Sequence, residues 1–257
     1  MKTVIRCAVG CAIPALLVAV YALVTTSAPS PFYPPIGDIG QRFRELWVFE
    51  YVGSDVVPSL RNMAVGFALA VAVGLGSGVV MGRVRVVGDL LLPLVTFGRS
   101  IPPITLIPPL VLVLGIGDAS KIAIVAFGCV FPVCLATIDG MRQTDDGLLD
   151  ASRSMGLSRA MTLRKVYLPS AMPSIFGGVQ VAVQLALVLM IASEMVAAYR
   201  GLGFITMQAQ LSFDARTVWA GIVLLALIGF ALHLLFLLVQ RHVLAWHIGL
   251  RAQSSSK

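Results

Sequence analysis

A chain of 257 residues fits one or two domains, but its composition decides more than its length. Hydrophobic residues make up 58% and charged residues 12%, with a mean hydropathy of +0.93, whereas soluble domains carry about a quarter charged residues. A soluble enzyme, a disordered tail and a fibrous repeat are excluded. What remains is an all-α polytopic membrane bundle, in which the net charge of +7 reports Lys and Arg kept on one side of a bilayer rather than a nucleic-acid partner.

A hydrocarbon core of about 30 Å takes about 20 apolar residues as helix. In chain order, the candidate spans lie near 7–25, 60–81, 90–114, 121–139, 173–195 and 217–240, about six transmembrane helices. Lys2 and Arg6 before the first span and Thr26-Ser27-Ala28 after it outline a secretory signal. The apolar run from Cys7 to Val24 exceeds the usual signal core of about 7–15 residues, so a retained span is expected.

The stretch from 26 to 59 opens with a stiff Pro-rich entry, Ser27 to Pro35. Ile39, Phe43, Leu46 and Trp47 then recur at helical spacing, which predicts a short amphipathic helix lying on the outer membrane interface. In the second span Gly66, Ala70, Gly74, Gly78 and Gly82 follow at steps of four. Such a ridge admits another helix backbone to backbone, either as static packing or as a sliding or dimerising surface. Pro93, Pro102, Pro103, Pro108 and Pro109 break the third span. Irregular backbone at membrane depth must be buried in protein or line a cavity, so this span is not expected to be a lipid-facing rod.

Cys7, Cys11, Cys129 and Cys134 sit in apolar runs without ligand spacing and read as small hydrophobes. His233, His242 and His247 form no metal-binding pair, so no metal and no catalytic residue is expected on this chain.

Basic residues set the orientation. With the N-terminus inside, twelve fall inside (Lys2, Arg6, Arg83, Arg85, Arg142, Arg153, Arg159, Arg164, Lys165, Arg241, Arg251 and Lys257). Six fall outside (Arg42, Arg44, Arg61, Lys121, Arg200 and Arg216), and Arg99 lies within a span. Both termini are therefore expected in the cytoplasm.

The segment 144–169, cytoplasmic on this orientation, is too polar to span. Thr144 or Asp145 suits a helix N-cap, and Leu148, Ala151, Ser152 and Met155 form one modest face. Gly156 can end that helix in the left-handed conformation. Ser158 is placed to cap a second short helix, with Leu163, Val166 and Tyr167 on one face before Pro169 opens the next span. Two short helices meeting at a glycine corner suit either a loop resting on anionic headgroups or a rigid docking element for a soluble partner.

The run Asp150-Ala151-Ser152, three residues, Gly156, nine residues, Val166-x-Leu168-Pro169 resembles the EAA loop of binding-protein-dependent ABC importer permeases. Asp150, Ser152 and Val166 stand where that pattern has Glu, Ala and Ile. Arg99 to Pro103, Gly115 to Lys121 and Gly201-Leu202-Gly203 are similar to stretches of the nitrate, alkanesulfonate and taurine group. The resemblance covers roughly residues 30 to 245.

It implies a type I-like permease fold. Residues 1–59 would form an N-terminal helix and external segment, 60–245 the permease core with its coupling loop at 144–169, and 246–257 a cytoplasmic tail. It also implies a second permease copy as a homodimer, two cytoplasmic ATPase subunits that bind ATP and Mg, and an extracytoplasmic solute-binding protein, all at the cell inner membrane. No GxxxxGK[ST] loop occurs in this chain, and no cofactor is expected on it. Leu148, Asp150, Ala151, Gly156 and Leu157 surround the corner and would make the ATPase contact.

For the solute, Gln180, Gln184 and Glu194 share one face of the fifth span. At 100° per residue Gln184 lies about 40° to one side of Gln180 and Glu194 about 40° to the other, the latter about 21 Å further along. That face would line the translocation path, or the glutamines would hydrogen-bond between helices while Glu194 sits at the interface or pairs with Arg200. Arg99 would attract a small nitrate-, sulfonate- or taurine-like anion, or would reach the cytoplasmic boundary as a long side chain or pair with a carboxylate. An ion-gradient-driven secondary transporter needs repeats or paired broken helices, and a lipid-modifying membrane enzyme needs clustered nucleophile and base residues. Neither pattern is visible.

Overall fold

The computed structural model describes residues 2–27 and 30–245. His247 and the tail 246–257 lie outside the described residues, as do the side chains of Cys7 and Cys11. Eleven α-helices follow in order among the described residues: α1 (Lys2–Ser27), α2 (Ile36–Arg44), α3 (Val57–Arg83), α4 (Arg85–Ser100), α5 (Ile107–Leu114), α6 (Asp118–Arg142), α7 (Asp146–Ser154), α8 (Arg159–Thr162), α9 (Leu168–Val196), α10 (Leu202–Leu211) and α11 (Ala215–Val243). Four continuous helical stretches, Val52–Arg83, Asp118–Arg142, Arg159–Val196 and Ala215–Val243, are long and apolar enough to cross a bilayer. The Pro-rich third span is indeed broken: α4 and the helical segment Pro103–Leu114 meet at 83°. A single residue in the β region, Val84 (φ −102°, ψ 95°), separates α3 from α4. α1, at 26 residues, has the length of a further span.

The core is a sandwich with α6 in the middle. Its most extensive partners are α3 on one side and α9 on the other. The step-four ridge of α3 meets a step-four row of α6. A Cβ added at Gly66 would lie 2.8 Å from Val125 Cβ, at Gly74 2.9 Å from Val133 Cβ, and at Gly82 2.7 Å from Met141 Cβ. Ala70 is buried in the same seam beside Val125, Cys129 and Val133. On the far face of α6, Gly140 meets Ala171, and Gly178 meets Ala136 and the Pro132 carbonyl. Both seams therefore bring helices together without large side chains between them, the geometry that packing in lipid favours. The α3 ridge serves packing inside one chain. Cys129 and Cys134 are free and buried, as hydrophobes.

Two features differ from the sequence expectation. The amphipathic segment does not spend its apolar face on lipid. Ile39, Leu46 and Trp47 are buried, and Leu46 and Trp47 pack with Leu202 and Ala220. Pairs of opposite charge hold α2 against the start of α11, Arg42 to Asp214 at 3.6 Å and Arg216 to Asp38 at 3.1 Å. The protein offers that helix an apolar partner, so the membrane need not. Second, α10, a short helix between α9 and α11, had no separate hydrophobic period by which to see it.

Two tests follow from this packing. Gly74→Ala forces a methyl into the α3–α6 seam and should cost about 1–3 kcal/mol by thermal unfolding in detergent. Gly76→Ala, where nothing lies within 4 Å, should be neutral or stabilising through better helix propensity. The second concerns Asp214, the N-cap of α11. Burial pushes its carboxyl up, but hydrogen bonds from the Thr217 hydroxyl (2.6 Å) and backbone N–H (3.2 Å), with the Arg42 guanidinium, outweigh that and hold it below the usual aspartate range. Its stabilisation is complete above the ordinary value of about 3.9 and fades as pH falls through the lowered folded value. The unfolding temperature should therefore drop more steeply below about pH 4 in the wild type than in Asp214→Asn.

Candidate functional site

The elbow between α6 and α9 is built from local hydrogen bonds. Asp145, extended at φ −60°, ψ 130°, accepts the Leu148 N–H at 3.2 Å and so caps α7, with Asp146 suiting the positive end of the helix. The other end closes on Gly156, whose φ is +66°. There Gly156 N–H donates to Arg153 O (2.9 Å) and Leu157 N–H to Ser152 O (3.1 Å), the paired bonds of a Schellman stop. A Cβ at Gly156 would meet nothing within 4 Å, so backbone conformation rather than space demands glycine there. Ser158 then caps α8 by accepting the Met161 N–H at 3.3 Å.

The second elbow helix is not separate from the span, contrary to the sequence expectation. α8 runs through a widened π turn at Leu163–Tyr167 into α9, giving one helix over Arg159–Val196. The widened turn explains how Pro169, which lacks an N–H, is passed without a break. Leu163 and Tyr167 pack beside Met141, Ala171 and Ile175, and Arg83 lies 5.0 Å over the Tyr167 ring. The elbow is thereby fixed to the bundle.

The structure gathers the sequence-predicted corner residues at this elbow. Leu148, Asp150, Ala151 and Gly156 are exposed and Leu157 is half-buried. Beside them stand exposed Met155 and Met161. Asp150 pairs with Arg153 at 2.7 Å. Ser152 buries its hydroxyl by donating to Leu149 O at 2.7 Å, so it fills the place of an alanine without an unmet donor.

The polar face of α9 divides. Gln180 and Gln184 line a cavity of about 230 Å³ between α9 and α11, with His233 opposite and Leu187, Leu232 and Phe236 around them. Glu194 is not in that cavity, and it is neither interfacial nor paired with Arg200. It is buried at the far end of α9, accepting from Ser59 Oγ (2.6 Å) and Gly203 N–H (3.0 Å), with Lys121 Nζ at 3.7 Å. Asp55 accepts the Gly201 N–H at 2.7 Å. A side chain on Gly201, whose φ is +120°, would overlap the Glu194 carboxylate. The Gly201-Leu202-Gly203 segment is thus a cradle for a buried carboxylate that sets the start of α10.

Asp55, Ser59 and Lys121 were missed as members of this group. The signal in the sequence was that Asp55, Lys121 and Glu194 fall at the same end of the second, fourth and fifth spans. Arg99 is exposed in the last turn of α4, beside the 83° bend. It joins neither the glutamine cavity nor the Glu194 cluster.

This architecture matches known transporters. The family described as "Binding-protein-dependent transport system inner membrane component" matches residues 66–245. The taurine transport system permease protein of Escherichia coli strain K12 is 33% identical over 189 residues, covering 74% of this chain and 69% of that protein. A Brucella melitensis protein named "Probable ABC transporter permease protein" is 31% identical over 229 residues, covering 88% and 91%. Among solved structures, an inward-facing methionine ABC transporter shares the fold with a TM-score of 0.67 at 22% identity, over 77% of this chain and 97% of that one. The chain therefore belongs to the binding-protein-dependent inner membrane components, the multi-pass permease subunits of ABC importers.

Proposed function

We propose that this chain pairs with a second copy of itself as the permease of an importer for a small sulfonate-like anion, with the elbow docked in a cytoplasmic ATPase. The observation that carries this reading is the elbow: a doubly capped corner with an exposed apolar tip, continuous with a membrane-length helix. The taurine-transport name of a relative supports the solute class.

On this reading both termini and the elbow lie in the cytoplasm, in accord with the distribution of basic residues. Each of two ATPase subunits, holding ATP and Mg, receives one elbow through Leu148, Asp150, Ala151, Gly156 and Leu157. Closure of the ATPases draws the elbows together, and the Arg159–Val196 helix carries that displacement into the bundle. The path then opens towards an extracytoplasmic binding protein. Gln180 and Gln184 supply neutral hydrogen-bonding groups to the path, which lets solute leave as readily as it arrives. Arg99, exposed at the bend, offers positive charge to an anion. Glu194 acts by positioning α10.

The test is co-expression with candidate ATPase and binding-protein genes, followed by ATPase stimulation with taurine and alkanesulfonates. Stimulation is expected with one of them only when its binding protein is present. Gly156→Pro removes both the left-handed residue and the Arg153-directed N–H. It should uncouple hydrolysis from uptake while membrane insertion persists; normal uptake by this variant would refute the docking role. Glu194→Ala strands Lys121 as an uncompensated buried charge and should destabilise the fold by about 3–5 kcal/mol. Were Glu194 a path residue instead, uptake would change at unaltered stability.

A further inference from the structure

Behind the elbow, the α3–α4 corner, the end of α6 and the start of α7 enclose a cavity of about 410 Å³. Arg83, Arg85 and Arg142 line it, as do Thr144, Asp89 and Asp146. Asp89 is engaged with Arg142 at 3.5 Å. Arg83 rests on the Tyr167 ring, yet its Nη1 is buried with no hydrogen-bond partner among the described residues. Arg85 has no carboxylate within ion-pair distance among them. Thr144 is 8% exposed, and its hydroxyl oxygen is likewise buried and unpartnered.

Buried donors left unmet are costly and rare. Here Arg83 and Thr144, each carrying one such buried atom, belong to the lining of one cavity, beside the exposed guanidinium of Arg85. The three arginines of the lining outnumber its two carboxylates, Asp89 and Asp146, so the cavity carries net positive charge and favours an anion over a cation. A tetrahedral oxyanion has acceptors in several directions and matches guanidinium geometry.

We propose that this cavity is an oxyanion site, in which Arg83, Arg85 and the Thr144 hydroxyl bind a sulfate or phosphate group, either free or at the head of an anionic lipid. Thr144 immediately precedes the α7 cap Asp145, so an occupant ties the elbow to the α3–α4 corner. The inference does not depend on which solute the transporter carries.

The experiment measures thermal unfolding of the full-length chain in two arms. In the first, sodium sulfate or phosphate is titrated in detergent against sodium chloride of equal ionic strength. In the second, discs of phosphatidylcholine are compared with discs that also contain phosphatidylglycerol. At ten times its dissociation constant the occupant should raise the midpoint by about 3–5 °C. A response in the first arm identifies a free anion, and a response in the second alone identifies a headgroup.

Arg83→Gln should weaken the response at least about tenfold in affinity. Thr144→Val should also weaken it about tenfold, while leaving the anion-free protein as stable or more so, because an unmet donor is removed. Arg164→Gln, exposed and outside the cavity, should respond as wild type. No response in either arm overturns the proposal. So does a response undiminished in Arg83→Gln and Thr144→Val, since general stabilisation by excluded salts would persist in every variant.

Discussion

The close approach of α3 and α9 to α6 is the constraint on which everything else in this molecule rests. In a bilayer no hydrophobic force drives one apolar helix onto another, because lipid tails are as apolar as leucine. Dispersion must do the work, and it falls off within fractions of an ångström. Rows of glycine and alanine on α3, facing Val125, Cys129, Val133, Thr137 and Met141 on α6, maximise it by removing the spacer between backbones. The second row, around Gly140 and Gly178, repeats the device against α9. A three-helix slab made in this way leaves little slack, and side chains mounted at its two ends are held in register with one another.

At one end stands the elbow, held by local caps and by the Arg83–Tyr167 stack. At the other, Glu194 gathers Ser59 from the start of α3, Lys121 from the start of α6 and Gly203 from α10. Burying an ion pair is seldom a route to stability by itself. Here the carboxylate also receives a hydroxyl and a backbone N–H, so the group links four helices with directional bonds where apolar packing would allow sliding.

Much of this was legible in the residues. Span positions followed from apolar length, the broken third span from proline density, and the elbow's caps from Asp145, Gly156 and Ser158, since capping is decided within a few residues. Three further features were not legible, two because their partners lie far away and one because of a local turn. The burial of Leu46 and Trp47 depends on Leu202 and Ala220, more than 150 positions away. The amphipathic pattern of α2 states only that one face is apolar, not whether lipid or protein receives it. Glu194 shares a helical face with Gln180 and Gln184 by angle, yet 14 residues of rise put it among different neighbours. The fusion of α8 with α9 turned on a widened turn that a proline in the sequence concealed.

That fusion has a mechanical meaning. From Arg159 to Val196 there are 38 residues without interruption, a beam of about 57 Å, longer than the hydrocarbon layer is thick. A torque applied at one tip is carried along such a beam except for what the widened turn at Leu163–Tyr167 and Pro173 absorb. With its midsection packed against α6, a tilt of the segment beside Gly156 would swing Glu194 in the opposite sense, and the cradle of Gly201 and Gly203 would have to follow or let go.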